Sequence, residues 1–340
     1  MNAYLPEIFL AIMGFAMLAY VVLDGFDLGV GILLQRADEL EKDTMVASIG
    51  PFWDANETWL VLGVGVLLTV FPRAHGEILG ALYLPVALML VGLTLRGVAF
   101  DFRAKVKAER KALWDRLFYL GSLLTALAQG FMLGMHIVGY HYSVVNVIFA
   151  AFIACALAAG YALLGACWLI MKTEGPLQAK ARTWAAHTLG LTGLGVAAVS
   201  VATPMVSTRI FERWFGLPEL FLLAPIPLFT LLLFGLCAWR LERLKIVPSS
   251  DQTSLHPAWH RAWQPFACAV TIFCLAFVGL AYSLFPFLVV DELTIWQAAT
   301  STDAMRLIGL GALISMPATL AYTVFSYRVF WGKAQPLSYS

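Results

Sequence analysis

Charged residues are scarce in this chain of 340 residues: they make up 13% of it, against 61% hydrophobic residues. A soluble domain carries about twice that charged fraction, because its surface faces water. The mean hydropathy of +0.80 therefore excludes a water-soluble globule and predicts a membrane protein. The 22 basic and 21 acidic residues nearly balance. No overall charge attracts nucleic acid, so we expect no nucleic-acid partner.

Paired cysteines and several well-known site motifs are also missing. The five cysteines lie in apolar runs without C-x-x-C spacing, so we interpret them as small buried side chains and not as metal or redox ligands. No Walker loop, G-x-S-x-G or H-E-x-x-H motif is present. The sequence thus indicates no nucleotide, hydrolase or zinc chemistry.

Long apolar runs are abundant. A helix needs roughly 20 residues to cross a hydrocarbon core of about 30 Å, and we count nine runs of suitable length. They are 5–35, 53–71, 77–100, 114–138, 144–171, 183–206, 219–239, 262–287 and 304–331. Because lipid cannot pair exposed backbone groups, spans of this kind must be helices. The sequence predicts an all-α, polytopic membrane protein, and Glu7 argues against a cleaved signal in the first run.

The basic residues concentrate in alternate connections. Those after the first, third, fifth and seventh runs are rich in Lys and Arg, and the stretch 101–113 alone has Arg103, Lys105, Lys107, Arg110 and Lys111. Basic residues are retained on the cytoplasmic side of a membrane. We therefore expect the amino end outside, the carboxyl end inside, and the polar stretch 241–261 in the cytoplasm.

Two acids lie inside the first run, within Asp24-Gly25-Phe26-Asp27-Leu28-Gly29. Asp24 and Asp27 are three residues apart and share a helix face, while Gly25 and Gly29 have the spacing that lets another helix approach closely. Asp27 lies nine residues before Arg36, roughly 14 Å along a helix. An ionisable side chain near mid-membrane is costly, so both acids are candidate functional residues.

Two further polar motifs lie near the predicted cytoplasmic face. The second run opens with Trp53-Asp54-Ala55-Asn56-Glu57, and the third closes with Arg96-Gly97-Val98-Ala99-Phe100-Asp101. Asp54 could equally be a helix cap, since acids are favoured at a helix amino end. Arg96 is either the counter-charge of one of the carboxylates or an arginine that snorkels to the interface.

Carboxyl groups at successive depths can pass protons through bridging water. We predict such a pathway through Asp101, Asp54, Glu57, Asp27 and Asp24, with Arg96 beside them. The six histidines do not form pairs facing each other across helices at two depths. A single heme near the outer face, ligated by His136 with His75 or His141, is the alternative that the histidines leave open.

These motifs resemble subunit II of the cytochrome bd family of quinol oxidases, in its cyanide-insensitive branch. The resemblance runs the whole length of the chain. It rests on DGFDLG at 24–29, PFWDANETWL at 51–60 and RGVAFDFR at 96–103, with SLFPF at 283–287 and LTIWQAATS at 293–301 in support.

The resemblance implies a heterodimer in a bacterial inner membrane. In this family, subunit I carries two b-type hemes and a heme d or a third b-type heme, while subunit II binds none. The complex oxidises ubiquinol, reduces oxygen to water and takes protons from the cytoplasm. Some members hold a structural quinone in subunit II, and a small third subunit is a further partner to consider; no motif here places either.

The resemblance also implies a fold and roles for particular residues. The fold would be two four-helix bundles at 1–140 and 141–290 and a ninth helix at 300–332. Gly25, Gly29 and Trp53 would serve subunit packing. Where some relatives have a histidine and Gln-Val in the second motif, this chain has Phe52 and Glu57-Thr58, so Glu57 adds a carboxylate and the partner's heme type stays open.

A secondary transporter or channel, with Asp24 and Asp27 as an intramembrane ion site, is the competing function. Transporters place such sites on broken helices in matched repeats, and the second half of this chain has no matching acidic pair.

Overall fold

The computed structural model describes residues 4–206, 208–246 and 261–335. The helices are α1 (Leu5–Leu33), followed by a 3-10 turn (Leu34–Arg36), α2 (Glu39–Ile49), α3 (Trp53–Val70), α4 (Pro72–Lys105), α5 (Ala108–Ile137), α6 (Val144–Lys172), α7 (Gly175–Val206), α8 (Thr208–Phe215), α9 (Glu219–Leu223), α10 (Pro225–Arg243), α11 (Gln264–Leu284), α12 (Ile295–Ala298) and α13 (Thr302–Val329). The strands β1 (Phe287–Val289) and β2 (Leu293–Thr294) form an antiparallel hairpin. Most of the expected loop at 241–261, with His256 and His260, lies outside the described residues.

Within these described ranges, eight segments are long and apolar enough to cross a membrane. They begin at Leu5, Pro72, Glu109, Val144, Gly175, Glu219, Gln264 and Thr302. The predicted run at 53–71 is the helix α3, which is not among the eight. Its 18 residues span about 27 Å, but Asp54, Asn56 and Glu57 lower its hydropathy. The helix whose hydropathy is too low to count among the eight is thus the one that carries the second polar motif.

Proline and capping residues explain several helix boundaries. Pro72 and Pro225 lie in the first turns of α4 and α10, where a missing N–H group costs nothing. Inside α4, Pro85 cannot donate to the preceding turn, and the backbone at Leu82 leaves the helical region. The surface helix α2, which periodicity does not reveal, begins with a capping box of Asp38 and Glu41.

Helix α1 lies at the centre of the packing, with contacts to α3, α5, α6 and α11. Its closest approach is to α6: a Cβ atom added at Gly29 would lie 1.8 Å from the Tyr161 carbonyl oxygen, and one added at Gly165 would lie 2.4 Å from Gly29. The glycines of the first motif therefore bring two helices of this chain together. The division into bundles at 1–140 and 141–290 stays a prediction, because α1 and α6 pack across that boundary.

Aromatic rings fill the core near the carboxyl ends of α1, α6 and α13. Phe26 stacks on Trp168 with ring centroids 4.1 Å apart, and Phe52 stacks on Tyr327 at 4.5 Å. Offset and edge-to-face rings stabilise such a core beyond their buried area. These rings hold the start of α3, and its polar residues, against α1.

Candidate functional site

Asp24 and Asp27 of α1 are completely buried, and the arginine predicted as a counter-charge is buried as well. Arg96 Nη1 lies 2.6 Å from Asp24 Oδ1, and Nη2 of the same guanidinium donates to Glu57 Oε1. Arg96 is 1% exposed, so it does not snorkel to water. It joins α4 to α1 and α3 through two carboxylates, as a planar guanidinium with two donor edges can.

Asp27 has a different environment from Asp24. Asn56 Nδ2 donates to Asp27 Oδ2 at 2.8 Å, and the Tyr327 hydroxyl donates to Asn56 Oδ1 at 3.2 Å. The other oxygen, Oδ1, is buried without a hydrogen-bond partner. Among the residues described, no basic side chain forms an ion pair with Asp27. We call Asp24, Asp27, Asn56, Glu57 and Arg96 the deep cluster.

A chain of hydrogen bonds reaches the deep cluster from α5 and α6. The Tyr161 hydroxyl donates to Gln129 Oε1 at 2.6 Å, and Gln129 Nε2 donates to the Tyr20 hydroxyl at 2.6 Å. Tyr20 lies one helical turn before Asp24 on α1, so this chain ties α5 and α6 to the segment of α1 that carries the deep cluster.

Asp54 and Asp101 make no hydrogen bond to the deep cluster among the described residues. Both side chains are exposed, and within the described ranges neither forms a hydrogen bond or an ion pair. Asp54 is not the cap of α3 either, because the N-cap residue is Phe52 and no side chain caps that end. Trp53 packs on Phe100 of α4, with ring centroids 5.0 Å apart.

A second charged cluster lies nearer the ends of the helices. Arg103 Nε donates to Asp115 Oδ1 at 2.5 Å, and Arg103 Nη1 donates to Asp43 Oδ1 at 2.7 Å. Lys42 Nζ lies 3.4 Å from the other oxygen of Asp115, and Lys111 Nζ lies 3.2 Å from Asp43. We call these five residues the rim cluster.

Two groups of the rim cluster lie outside the long apolar helices. Burial raises the pKa of Asp43, but hydrogen bonds from Arg103 and Lys111 outweigh it and hold the pKa below its usual range. Burial lowers the pKa of Lys42, but its pairing with Glu39 and Asp115 outweighs this and holds the pKa above its usual range. Both groups are therefore charged at neutral pH.

Sequence reasoning missed the rim cluster and the tyrosine chain. Asp115 lies in the second turn of an apolar helix and is 0% exposed. Its position inside the predicted run 114–138 already indicates a buried acid that needs a partner. Tyr20 precedes Asp24 by one helical turn, which also places it on the same face. Nothing in the sequence marks Gln129 or Tyr161 as their partners, because these lie on α5 and α6.

The heme alternative involves His136, which is half-buried with its Nδ1 atom 2.5 Å from the Tyr140 hydroxyl. His75 is half-buried and His141 is exposed. Over the described residues, no group of three or more His, Cys, Asp or Glu side chains could hold a metal ion.

The fold and the site together define a helical membrane protein whose deep cluster gathers three acids around one base, Arg96. Among the residues described, no group of side chains could hold a metal ion.

Comparison with known proteins identifies the family. A sequence model of the cytochrome bd terminal oxidase subunit II matches residues 5–330, so the chain belongs to that family. The chain is therefore a subunit of an oxidoreductase complex.

Individual relatives agree with this assignment. Cytochrome bd ubiquinol oxidase subunit 2 of Bacillus subtilis is 27% identical, covering 99% of this chain and 100% of the relative. Cytochrome bd-I ubiquinol oxidase subunit 2 of Escherichia coli K12 is 25% identical, covering 95% and 93%. A chain in the structure of the bd oxidase from Geobacillus thermodenitrificans has the same fold, with a TM-score of 0.76, 17% identity and 96% and 98% coverage.

Proposed function

We propose that this chain is subunit II of a cytochrome bd-type ubiquinol oxidase in a bacterial inner membrane. It supports a heme-bearing subunit I in oxidising quinol and reducing oxygen to water. The family match over residues 5–330 and the names of the relatives support this role. The hemes, two of b type with a heme d or a third b type, belong to the partner. A structural quinone and a small third subunit are further binding partners of this proposal.

We further propose that the deep cluster belongs to a proton pathway from the cytoplasm. The observation that carries this is Asp27: it is 0% exposed, receives a hydrogen bond from Asn56, and has no basic partner among the described residues. A permanently charged carboxylate in such a place is expensive. A carboxyl group that takes up and releases a proton avoids that cost for most of its cycle.

The other acids follow in order of exposure. Asp54 and Asp101 are exposed and would collect protons at the surface. The Glu57 side chain is 27% exposed and touches Arg96, so it links the surface to the buried acids. Arg96 also occupies the place beside Asp24 that a transported cation would need, which argues against the transporter alternative.

The proton pathway requires that α3 crosses the membrane as the ninth span and that the rim cluster faces the cytoplasm. The packing of α3 on α1, α4 and α13 supports the span.

Single cysteines at Lys107 and Tyr140 test the orientation in intact cells with a membrane-impermeant thiol reagent. We expect labelling at 140 only; labelling at 107 only would contradict the orientation.

The proton pathway is tested with Asp27→Asn and Asp54→Asn in the whole complex. Asn keeps the size of Asp but cannot exchange a proton. Oxygen consumption should therefore fall in both variants, at least about tenfold in Asp27→Asn, while heme content is kept. Asp303→Asn is the matched control, because Asp303 is an exposed acid in the first turn of α13. Full turnover in both test variants would refute the pathway.

A separate experiment tests whether the hemes and the oxidase activity belong to subunit I. We expect the purified chain alone to carry no heme and to oxidise no quinol. A stoichiometric heme spectrum that disappears in His136→Leu would contradict this.

A further inference from the structure

A small cavity lies between the carboxyl ends of α6 and α13 and the start of α11. Its volume is about 220 Å3, and its walls are mostly aromatic: Trp168, Trp263, Tyr327 and Trp331. Among the described residues that line it, Lys172, the last residue of α6, is the only charged one. An apolar pocket with one cation suits a ligand that is partly apolar and partly anionic.

Lys172 differs from the other buried basic residues. Within the described residues four basic side chains are buried: Lys42, Arg96, Arg103 and Lys172. The first three have carboxylate partners. Lys172 has none; its Nζ donates to the Phe330 carbonyl oxygen at 2.8 Å and lies 4.9 Å from the Trp168 ring centroid and 5.2 Å from the Phe52 ring centroid. An ammonium group has three N–H donors, and the carbonyl oxygen accepts only one of them.

A second lysine adds to the positive charge of this region. Lys333 Nζ donates to the Thr173 carbonyl oxygen at 2.8 Å and repels Lys172. Burial lowers the pKa of Lys333 to about 8, with Glu174 opposing the shift. Each lysine thus donates to a carbonyl at the end of the other helix, and neither has a carboxylate within ion-pair distance among the described residues.

The surroundings identify the chemical class of the ligand. Trp263 is 50% exposed and Trp331 is 68% exposed, and both lie at helix ends, where tryptophan marks the level of lipid headgroups. A free hydrated phosphate gains nothing from aromatic walls. A phosphate that carries acyl chains places its charge on Lys172 and its glycerol and first methylene groups against the rings.

We propose that this cavity, the lysine pocket, binds the headgroup phosphate of an anionic phospholipid. The phosphate accepts hydrogen bonds from Lys172 Nζ, and the acyl chains leave between Trp263 and Trp331. The lipid would join α13 to α6 and α11. The site does not depend on the proton pathway.

The test uses the two-subunit complex, stripped of lipid in detergent and titrated with dioleoylphosphatidylglycerol. Native mass spectrometry measures the lipid bound per complex. We expect one tightly held lipid in the wild type and about tenfold weaker binding in Lys172→Gln, which loses a hydrogen bond to a charged group. Lys105→Gln is the matched control, because Lys105 is the exposed last residue of α4; its binding should equal that of the wild type.

Further titrations distinguish an anionic phospholipid from a neutral lipid and from free phosphate as the ligand. Dioleoylphosphatidylcholine, which has no net charge, should bind more weakly, and inorganic phosphate at the same concentration should not displace the anionic lipid. Trp331→Ala removes a wall without touching the buried charge and should also weaken binding, so the test stands even where Lys172→Gln fails to assemble. Equal affinity in the wild type and both test variants, no lipid in the wild type, or displacement by phosphate would overturn the proposal.

Discussion

The deep and rim clusters are built on the same plan at two heights. Arg96 and Arg103 are seven residues apart on α4, so they share a face about 10 Å apart along the helix. Each arginine joins two carboxylates: Asp24 and Glu57 for the first, Asp115 and Asp43 for the second.

The two clusters differ in the balance between basic and acidic side chains. Lys42 and Lys111 bring the bases of the rim cluster to three against two acids, and Glu39, paired with Lys42 at 2.8 Å, balances the third base. The deep cluster has an additional acid, Asp27, and no additional base. A balanced network holds helices in place, whereas a surplus buried carboxyl group can exchange a proton. We therefore assign structure to the rim cluster and proton transfer to the deep cluster.

The largest expected effect comes from removing each arginine. Arg96→Met leaves Asp24 buried without a partner, which typically costs about 3–5 kcal/mol, so little assembled complex should accumulate. Arg103→Met should cost less, because Lys42 and Lys111 remain and the Asp43 side chain is 47% exposed. Heme-containing complex per milligram of membrane protein measures both variants. Equal losses would break the comparison between the clusters.

A double variant sharpens this result. Asp24→Asn combined with Arg96→Met removes the unpaired buried charge, so the complex should recover part of its yield. No recovery would show that Arg96 acts through contacts other than Asp24.

A smaller effect is expected from the tyrosine chain. Gln129→Leu leaves the hydroxyls of Tyr20 and Tyr161 without their partner, at about 1–3 kcal/mol for each unsatisfied group. Tyr161→Phe removes only one donor and should cost about 1 kcal/mol. Thermal denaturation of the detergent-solubilised complex separates them. A larger shift for Tyr161→Phe than for Gln129→Leu would contradict the assigned bonds.

The smallest effect is the acid sensitivity of the rim cluster. The pKa of Asp43 is held below its usual range, so its pairing stabilises the fold above the unfolded value of about 4 and is lost as the pH falls through the folded value. Asp43→Asn should therefore lower the denaturation midpoint at pH 7, and the difference should shrink below about pH 4. A difference that grows in acid would contradict the pairing.

The sequence predicts the helices well because hydrophobicity and length decide them. Eight of the nine predicted runs coincide with the long apolar helices, and α3 departs because its polar motif is part of the site. The pairing of Arg96 with a carboxylate could also be predicted, since a buried charge needs a partner. The choice among partners could not be predicted: Glu57 pairs with Arg96, whereas Asp54 and Asp101 form no ion pair within the described ranges.

The rim cluster and the tyrosine chain escape sequence reasoning for a related reason. Their members come from different helices: Asp43 from α2, Arg103 from α4 and Asp115 from α5. Helical periodicity gives the face of each residue on its own helix. It does not give the rotation of one helix against another, which side-chain packing fixes.

Proton uptake in a single turnover tests the division between the two clusters most directly. The reduced complex is mixed with oxygen, and a pH-sensitive dye follows proton uptake in the wild type, Asp27→Asn and Asp115→Asn. We expect proton uptake to be slowed at least about tenfold in Asp27→Asn and to keep its wild-type rate in the Asp115→Asn complex that assembles. Wild-type uptake in Asp27→Asn, or equal slowing in both variants, would contradict this division.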